Sequence, residues 1–189
     1  MKYDRNRKVG EEASKTYLDN IDSGFFDKYM SGEIGLDCGG KGYLTGTTSI
    51  LETARIIDLD TEGYDGITLP HENASVDYVF SSHCLEHIPT DNLLNVLRDW
   101  YRVLKIDSCM VITTPSLYRY EKCLVNMQAG SFSRYNGDHK RGYTPASLLA
   151  EIESAFEPNS YFVELCRDHY KGSSCQWTVN RDVQKGHEI

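Results

Sequence analysis

Residues 75–114 hold a strand pattern, an amphipathic helix pattern and a second strand pattern in direct succession, which constrains the fold more than any other feature. The run SVDYVFSS is apolar with a polar end, as expected of a buried strand. The following segment, PTDNLLNVLRDWYRVLK, places Leu93, Leu97 and Trp100 on one helical face, and CMVITT then has the composition of another buried strand. Two strands joined through a helix normally lie parallel in one sheet, so we expect a parallel sheet covered by helices.

The same alternation continues on both sides of this unit. The patterns predict a helix over 11–30 broken near Gly24, a strand at 33–37, a brief helix opened by Thr48 or Ser49, a strand at 54–58, a weaker strand at 66–69, a helix begun at Pro145 and a strand at 160–166. We therefore predict an α/β fold with a Rossmann-like, doubly wound, mostly parallel sheet and helices on both faces. Only 13 residues (43–55) lie between Gly42 and Ile56, so the first crossover is expected to be short.

Length and composition exclude several classes of protein. The 189 residues suggest a single domain over 1–189 that includes an N-terminal helical segment at 1–31. The net charge of −8, with dispersed acids, disfavours nucleic acid and anionic membranes as partners. The polar N-terminus and the lack of any apolar run of about 20 residues predict a cytoplasmic protein. The six cysteines form no C-x-x-C pair, so we predict buried reduced thiols, without disulfides or a metal site.

Acidic and small residues follow three of the predicted strands. In open α/β sheets, ligands bind beyond the carboxyl ends of the strands, so 37–42, 58–60 and 81–83 are expected to share one rim. The glycine stretch GLDCGGKGY fits neither the dinucleotide fingerprint nor the phosphate loop. A plain turn would explain the glycines alone, and a helix cap would explain Asp58 alone. Together, at matching strand ends, they favour a nucleoside ligand whose ribose hydroxyls are bound by Asp58.

Several of these segments match one known family. LDCGGKGY, RIIDLD, LPHENASVDYVFSSHCLEHIP and LRDWYRVLK together resemble the class I S-adenosylmethionine-dependent methyltransferases, in particular the small methyltransferase type 11-like proteins. DHKRGYTPASLLAEIE resembles the family's later segment that leads into a helix. The resemblance covers about residues 33–156 and implies S-adenosylmethionine as the cofactor.

The resemblance also implies a cofactor site drawn from four segments. The implied residues are Asp37, Gly39, Gly40 and Gly42 at the methionine end; Asp58, Leu59 and Asp60 at the ribose; Asp65 and Gly66 near the adenine; and Ser81, Ser82 and His83 beside the sulfonium. Lys41 departs from the family pattern, because it stands where the middle glycine is usual. Either Gly40 takes that role in a shortened loop, or the methionine end of the site is altered.

Histidines are the candidate catalytic groups, since a hydroxyl acceptor must lose its proton near neutral pH. We predict His83 and His139 as catalytic, and His87, Lys140 and Arg141 as contacts to the acceptor. His87 could instead fix the loop at a helix start, and 138–141 could be a surface charge run. Residues 118–143 are a candidate lid over the site.

The sequence thus predicts methyl transfer to a small-molecule acceptor, with an oxygen nucleophile on a metabolite or sugar-like compound. The alternative is a catalytically inert cofactor-binding domain that acts through a protein partner, whereas a nicotinamide-dependent oxidoreductase is disfavoured because no G-x-G-x-x-G follows the first strand. The resemblance implies a C-terminal hairpin, which is either incomplete or closed by the run SCQWTV at 174–179. An incomplete hairpin would expose a strand edge, so a homodimer is a candidate assembly.

Overall fold

A six-stranded sheet forms the centre of this computed structural model, which describes residues 3, 5, 11–40, 49–115, 139–169 and 174–181. The strands are β1 (Gly35–Cys38), β2 (Ala54–Ile57), β3 (Val76–Ser82), β4 (Leu104–Pro115), β5 (Tyr161–His169) and β6 (Ser174–Arg181). Their order across the sheet is β2-β1-β3-β4-β6-β5. Strands β1 to β4 are parallel, and β6 runs antiparallel to both of its neighbours. The predicted mostly parallel sheet is confirmed.

Helices cover both faces of this sheet. They are α1 (Glu11–Asp22), α2 (Phe25–Tyr29), α3 (Thr90–Val103) and α4 (Pro145–Ala155), with a 3₁₀ helix at Leu85–His87. On one face, Tyr17 and Phe26 from α1 and α2 pack in a core with Tyr78 of β3. On the other face, Trp100 of α3 and Ile152 of α4 are fully buried in a second core. Two separate cores are what a doubly wound sheet requires, so this part of the prediction is also confirmed.

The N-terminal helical segment breaks where its sequence indicates. Gly24 has φ 68°, a left-handed conformation that glycine adopts without steric cost, and it separates α1 from α2. The later helix also begins as its sequence indicates. The Thr144 side chain accepts the backbone N–H of Ser147, the Ser147 side chain accepts the backbone N–H of Thr144, and Pro145 occupies the first helical turn.

The brief helix expected at Thr48 or Ser49 is wrong for the part of it that the structure describes, because residues 49–53 form bends and turns. The Ser49 hydroxyl donates to Asp37 Oδ2 at 2.5 Å and accepts the backbone N–H of Leu51. The Ser49 oxygen thus accepts the N–H that a helix cap would accept, but residues 50–53 continue as bends and turns, so no helix follows it. Residues 41–48, which complete the short first crossover, lie outside the described residues.

The weaker strand expected at 66–69 is also wrong, since residues 58–75 contain no strand. There, side chains form the hydrogen bonds to the backbone that a neighbouring strand would otherwise form. Asp65 Oδ1 accepts the N–H groups of Ile67 and Thr68 at 2.8 and 2.6 Å. Asp99 on α3 accepts the Leu69 N–H at 2.6 Å, and Arg102 donates to the Leu69 carbonyl at 3.1 Å. This irregular segment is held against α3 and cannot pair with β2.

The C-terminal hairpin is complete. Strand β6 lies between β4 and β5, pairing with β4 from Cys109↔Asn180 to Pro115↔Ser174. The run SCQWTV is therefore part of the last strand, as one of the two alternatives had it. Strand β5 forms one edge of the sheet. None of the helices in the described ranges is long and apolar enough to span a bilayer.

Candidate functional site

The carboxyl ends of β1, β2 and β3 lie side by side. Cys38, the last residue of β1, is aligned with Ile57 of β2 and with Ser81 of β3. The residues that follow these strands therefore lie side by side along the rim. The Gly39 N–H donates to the Ile57 carbonyl at 2.8 Å, which fixes the first turn of the rim against the second strand.

Gly39 and Gly40 form a turn with no room for side chains. Gly39 has φ +79°, and a Cβ there would lie 2.5 Å from the Cβ of Cys84. A Cβ on Gly40 would lie 2.5 Å from the carboxyl carbon of Asp37. Asp37 is itself buried, and its carboxylate accepts the Ser49 hydroxyl below the turn. We infer that Asp37 shapes the glycine turn from inside; Lys41 and Gly42 lie outside the described residues.

A carboxylate and an exposed apolar side chain stand together at the end of β2. Asp58 Oδ1 accepts the Leu59 N–H at 2.8 Å, and the Asp58 N–H donates to Thr61 Oγ1 at 2.9 Å, so the start of this loop is held in place. Leu59 is 76% exposed, more than any other large hydrophobic side chain among the described residues. Its Cδ2 lies against Gly66, where a Cβ would be 3.2 Å away. Asp60 is exposed next to them.

Asp65 serves the backbone of its own loop. The backbone hydrogen bonds from Thr68 and Ile67 hold the pKa of the Asp65 carboxyl below its usual range. Gly66 has φ +88°, which favours glycine at this position. An adenine contact from Asp65 stays a prediction, and it would have to share a carboxylate that already accepts two N–H groups.

The end of β3 carries a strained histidine. His83 has φ 55°, a left-handed conformation that is uncommon for non-glycine residues and that clusters at active sites, although Ala74, Asp107 and Asn159 also adopt it. Burial, together with the nearby His139 and His87, lowers the pKa of His83 to about 4. The imidazole is therefore neutral at pH 7 and able to accept a proton, although as a weak base. Ser81 is fully buried and Ser82 is partly exposed beside it.

The cysteines near the rim are packing residues. Burial raises the pKa of the Cys84 thiol to about 12, and it raises that of Cys38 as well. Both thiols, and that of Cys109, are free. The prediction of reduced thiols holds for these three described cysteines.

A buried glutamate next to the rim brings three histidines together. Glu86 is 1% exposed, and its Oε1 lies 3.9 Å from His83 Nδ1, 3.9 Å from His87 Nε2 and 3.8 Å from His139 Nε2. The rings of His87 and His139 meet edge to face, with centroids 4.6 Å apart. His83 and His87 flank Glu86 in the sequence, but only the structure shows that Glu86 is the common neighbour of all three histidines. The Glu-His pair at 86–87 was the available signal, but His139 joins it only through the fold.

The segment that follows His139 is docked onto the 3₁₀ helix. The Lys140 N–H donates to the Glu86 carbonyl at 2.7 Å. Arg141 donates to the Ile88 carbonyl at 2.9 Å and to Thr90 Oγ1 at 3.0 Å. The Lys140 side chain is exposed, whereas the Arg141 guanidinium holds this segment in place. Of the predicted lid at 118–143, only 139–143 is described.

Comparison with known proteins agrees with this arrangement. A family model described as a methyltransferase domain matches residues 47–112, which include Asp58 and the whole stretch from Ser81 to His87. The search of curated protein sequences gives no match.

Solved structures of methyltransferases share the fold. A SAM-dependent methyltransferase from Archaeoglobus fulgidus superposes with a TM-score of 0.56 at 16% identity, over 87% of this chain and 94% of that one. A SAM-dependent methyltransferase from Aquifex aeolicus gives 0.53 at 14% identity, over 90% and 98%. A chain from the complex of the Haloferax volcanii Trm112 methyltransferase activator with a candidate methyltransferase gives 0.57 at 11% identity, over 93% and 100%. At such low identity these likenesses show a common fold.

Proposed function

From a class I methyltransferase fold and a matched methyltransferase domain, which indicate an S-adenosylmethionine-dependent methyltransferase, we propose that the acceptor is a small molecule with an oxygen nucleophile. We further propose which residues bind the cofactor and which residues act on the acceptor. Methyl transfer from a sulfonium is an in-line displacement, so the protein mainly holds the two reactants in line and removes the acceptor's proton.

The observation that carries the cofactor assignment is the pairing of Asp58 with exposed Leu59 beside the Gly39–Gly40 turn. A carboxylate at the end of β2 can accept both hydroxyls of a ribose, and an exposed aliphatic side chain next to it offers a surface for the adenine ring. The turn lets the cofactor approach the backbone closely. The carboxylate thus matches the ribose of a nucleoside and the exposed leucine matches its adenine, while the glycine turn beside them leaves room for the rest of the cofactor.

The charges around the rim favour a cationic cofactor over a dinucleotide. The nearby carboxylates of Glu86, Asp58 and Asp37 all help to raise the pKa of the Cys84 thiol, after its burial. Such a group attracts a sulfonium and repels a pyrophosphate. This supports S-adenosylmethionine over a nicotinamide dinucleotide.

His83 is the candidate group for contact with the acceptor. It ends the rim beyond β3, and neutral imidazole can accept a hydroxyl proton as the methyl group is transferred. His139 is proposed as a second catalytic group, since it lies beside the same glutamate as His83. His87 and Lys140 are proposed acceptor contacts, and Arg141 is proposed to act by holding their segment in place.

A methyl-transfer screen tests the acceptor class. The full chain is incubated with S-adenosylmethionine and a panel of hydroxyl, carboxyl, amine and thiol metabolites, including sugars, and S-adenosylhomocysteine is measured. We expect product with hydroxyl or carboxyl acceptors. Transfer to amines or thiols alone would contradict the proposal, and transfer to any acceptor would exclude the inert-domain alternative, which the comparisons do not favour.

A pair of histidine variants then tests the role of His83. His83→Ala should lower the rate with the best acceptor by about 10²- to 10⁴-fold, the usual contribution of a general base. His71→Ala is the matched control. His71 precedes β3 in the chain, so it lies on the side of the sheet where the strands begin, away from their carboxyl ends. Equal rates for the two variants would remove His83 from the proposed mechanism.

Two further predictions concern the protein's surroundings. The candidate homodimer was expected from an incomplete hairpin, and since the hairpin is complete that reason no longer applies; a homodimer paired through the edge strand β5 stays a prediction. Sedimentation equilibrium of the full chain decides this, since a monomer at tens of micromolar would contradict it. The cytoplasmic location also stays a prediction, and it can be checked by fractionating cells that express the protein.

A further inference from the structure

The cluster of Glu86, His87 and His139 has the composition and spacing of a metal site. One ligand atom from each residue lies within 4.8 Å of the other two. Two imidazole nitrogens and a carboxylate oxygen are the donors that divalent transition metals such as zinc prefer. The sequence shows two of these ligands as the Glu-His pair at 86–87, but it does not show that His139, about 50 positions further on, joins them.

The distances fit an ion better than direct contacts between the side chains. Glu86 Oε1 lies 3.9 Å from His87 Nε2 and 3.8 Å from His139 Nε2, and both separations exceed hydrogen-bond range. Ligands bound to zinc at about 2.0–2.1 Å in tetrahedral geometry stand about 3.3 Å apart. The three donors therefore need to move by roughly 0.5 Å to 1.5 Å to hold an ion between them.

The surroundings also suit a metal centre. Glu86 is 1% exposed and the His139 side chain is 5% exposed, so two of the donors are removed from bulk water. Their backbones are held by the Lys140 N–H, which donates to the Glu86 carbonyl at 2.7 Å.

We propose that Glu86, His87 and His139 bind a divalent transition-metal ion of the zinc class. Three protein ligands leave a coordination position open, as in catalytic zinc sites. His83 lies beside this site, with Nδ1 3.9 Å from Glu86 Oε1. The role of the open position rests on the proposed function: it binds the oxygen of the acceptor and holds it in place for methyl transfer.

Metal binding is measured on the full chain after treatment with a chelator and removal of the chelate. Equilibrium dialysis against zinc, with metal counted by mass spectrometry, should give one ion per chain with a dissociation constant of micromolar order or tighter. Cobalt in place of zinc should produce the visible absorption of a site with four or five ligands. Less than half an ion per chain at 100 μM free zinc would overturn the proposal.

Variants separate this site from adventitious binding. Glu86→Gln and His139→Ala should each weaken zinc affinity by more than about 100-fold, since even changes outside the ligand shell cost about 10- to 100-fold. His71→Ala should bind zinc like the wild type. Circular dichroism verifies that each variant is folded, and if a variant is not folded, the wild-type stoichiometry and cobalt spectrum still decide the proposal.

A final experiment tests the metal site and the methyltransferase assignment separately. S-adenosylmethionine is titrated into the chelator-treated protein, and the transfer rate is measured with and without zinc. Cofactor binding without any zinc binding would overturn the metal site alone. Zinc binding without cofactor binding would overturn the proposed function alone. Equal transfer rates with and without bound zinc would refute the role of the metal in holding the acceptor.

Discussion

Replacing Asp58 by alanine tests the cofactor site through the residue best placed to bind ribose. Asp58 is partly exposed at the end of β2, and Oδ1 already accepts the Leu59 N–H. Two hydroxyls bound by a carboxylate form two charged hydrogen bonds, each contributing about 1.5–3 kcal/mol. Because water can replace part of this on an exposed loop, we expect a loss of about 2–4 kcal/mol, or about 30- to 1000-fold in Kd.

Calorimetric titration of both S-adenosylmethionine and S-adenosylhomocysteine measures this loss. Glu62→Ala is the matched control, since Glu62 is an exposed acid in the same loop and should leave Kd within about twofold. The thermal midpoint should be nearly unchanged in both variants. A folded Asp58→Ala protein that binds the cofactor within threefold of wild type would refute the ribose assignment.

Three further predictions concern the frame that carries the site. Asp77→Asn removes a carboxylate whose pKa is lowered by Lys105 and by backbone N–H groups. Because the folded-state pKa lies below the unfolded value of about 3.9, the stabilisation of about 1–2 kcal/mol is present at neutral pH and lost as pH falls through the folded-state pKa. Urea unfolding of both proteins at several pH values should show this difference disappearing in acid, and a constant difference would contradict it. Gly35→Ala places a Cβ 1.9 Å from the Tyr78 ring, so urea unfolding should show a loss of at least about 3 kcal/mol; a loss below 1 kcal/mol would mean that the ring can move aside. Thr144→Ala removes the cap of α4 and should cost about 1 kcal/mol in the same assay, whereas an unchanged midpoint would show that the cap is dispensable.

The sequence predicted the β3-α3-β4 unit well because the forces that form it are local. The strand expected at 75–82 begins at Val76 and ends at Ser82, and the helix expected at 89–105 spans Thr90–Val103. Both were recognisable from the spacing of apolar residues, which depends only on neighbours along the chain.

Both wrong elements lie where side chains distant in the sequence make contacts that a local pattern does not show. The Ser49 hydroxyl donates to Asp37, twelve positions away, and the residues after Ser49 form bends and turns in place of a helix. The Leu69 N–H is bound to Asp99, thirty positions away, and so does not join a strand ladder. A local pattern carries no record of such partners.

In the candidate site too, residues marked by a local pattern could be predicted, and residues brought together by the fold could not. Asp58 and Gly39 could be placed because strand ends and glycines are visible in the sequence and share a predicted edge of the sheet. Glu86 could not be identified as the centre of a histidine cluster, since His139 reaches it only through the docking of the segment before α4. The positive φ of His83 likewise depends on the packed structure.

Direct titration of the full chain with S-adenosylmethionine tests most simply whether the rim binds this cofactor. We expect saturable heat for one site per chain, with a dissociation constant of micromolar order, and no binding of a nicotinamide dinucleotide under the same conditions. Absence of heat with S-adenosylmethionine, at protein concentrations that would detect micromolar binding, would contradict it.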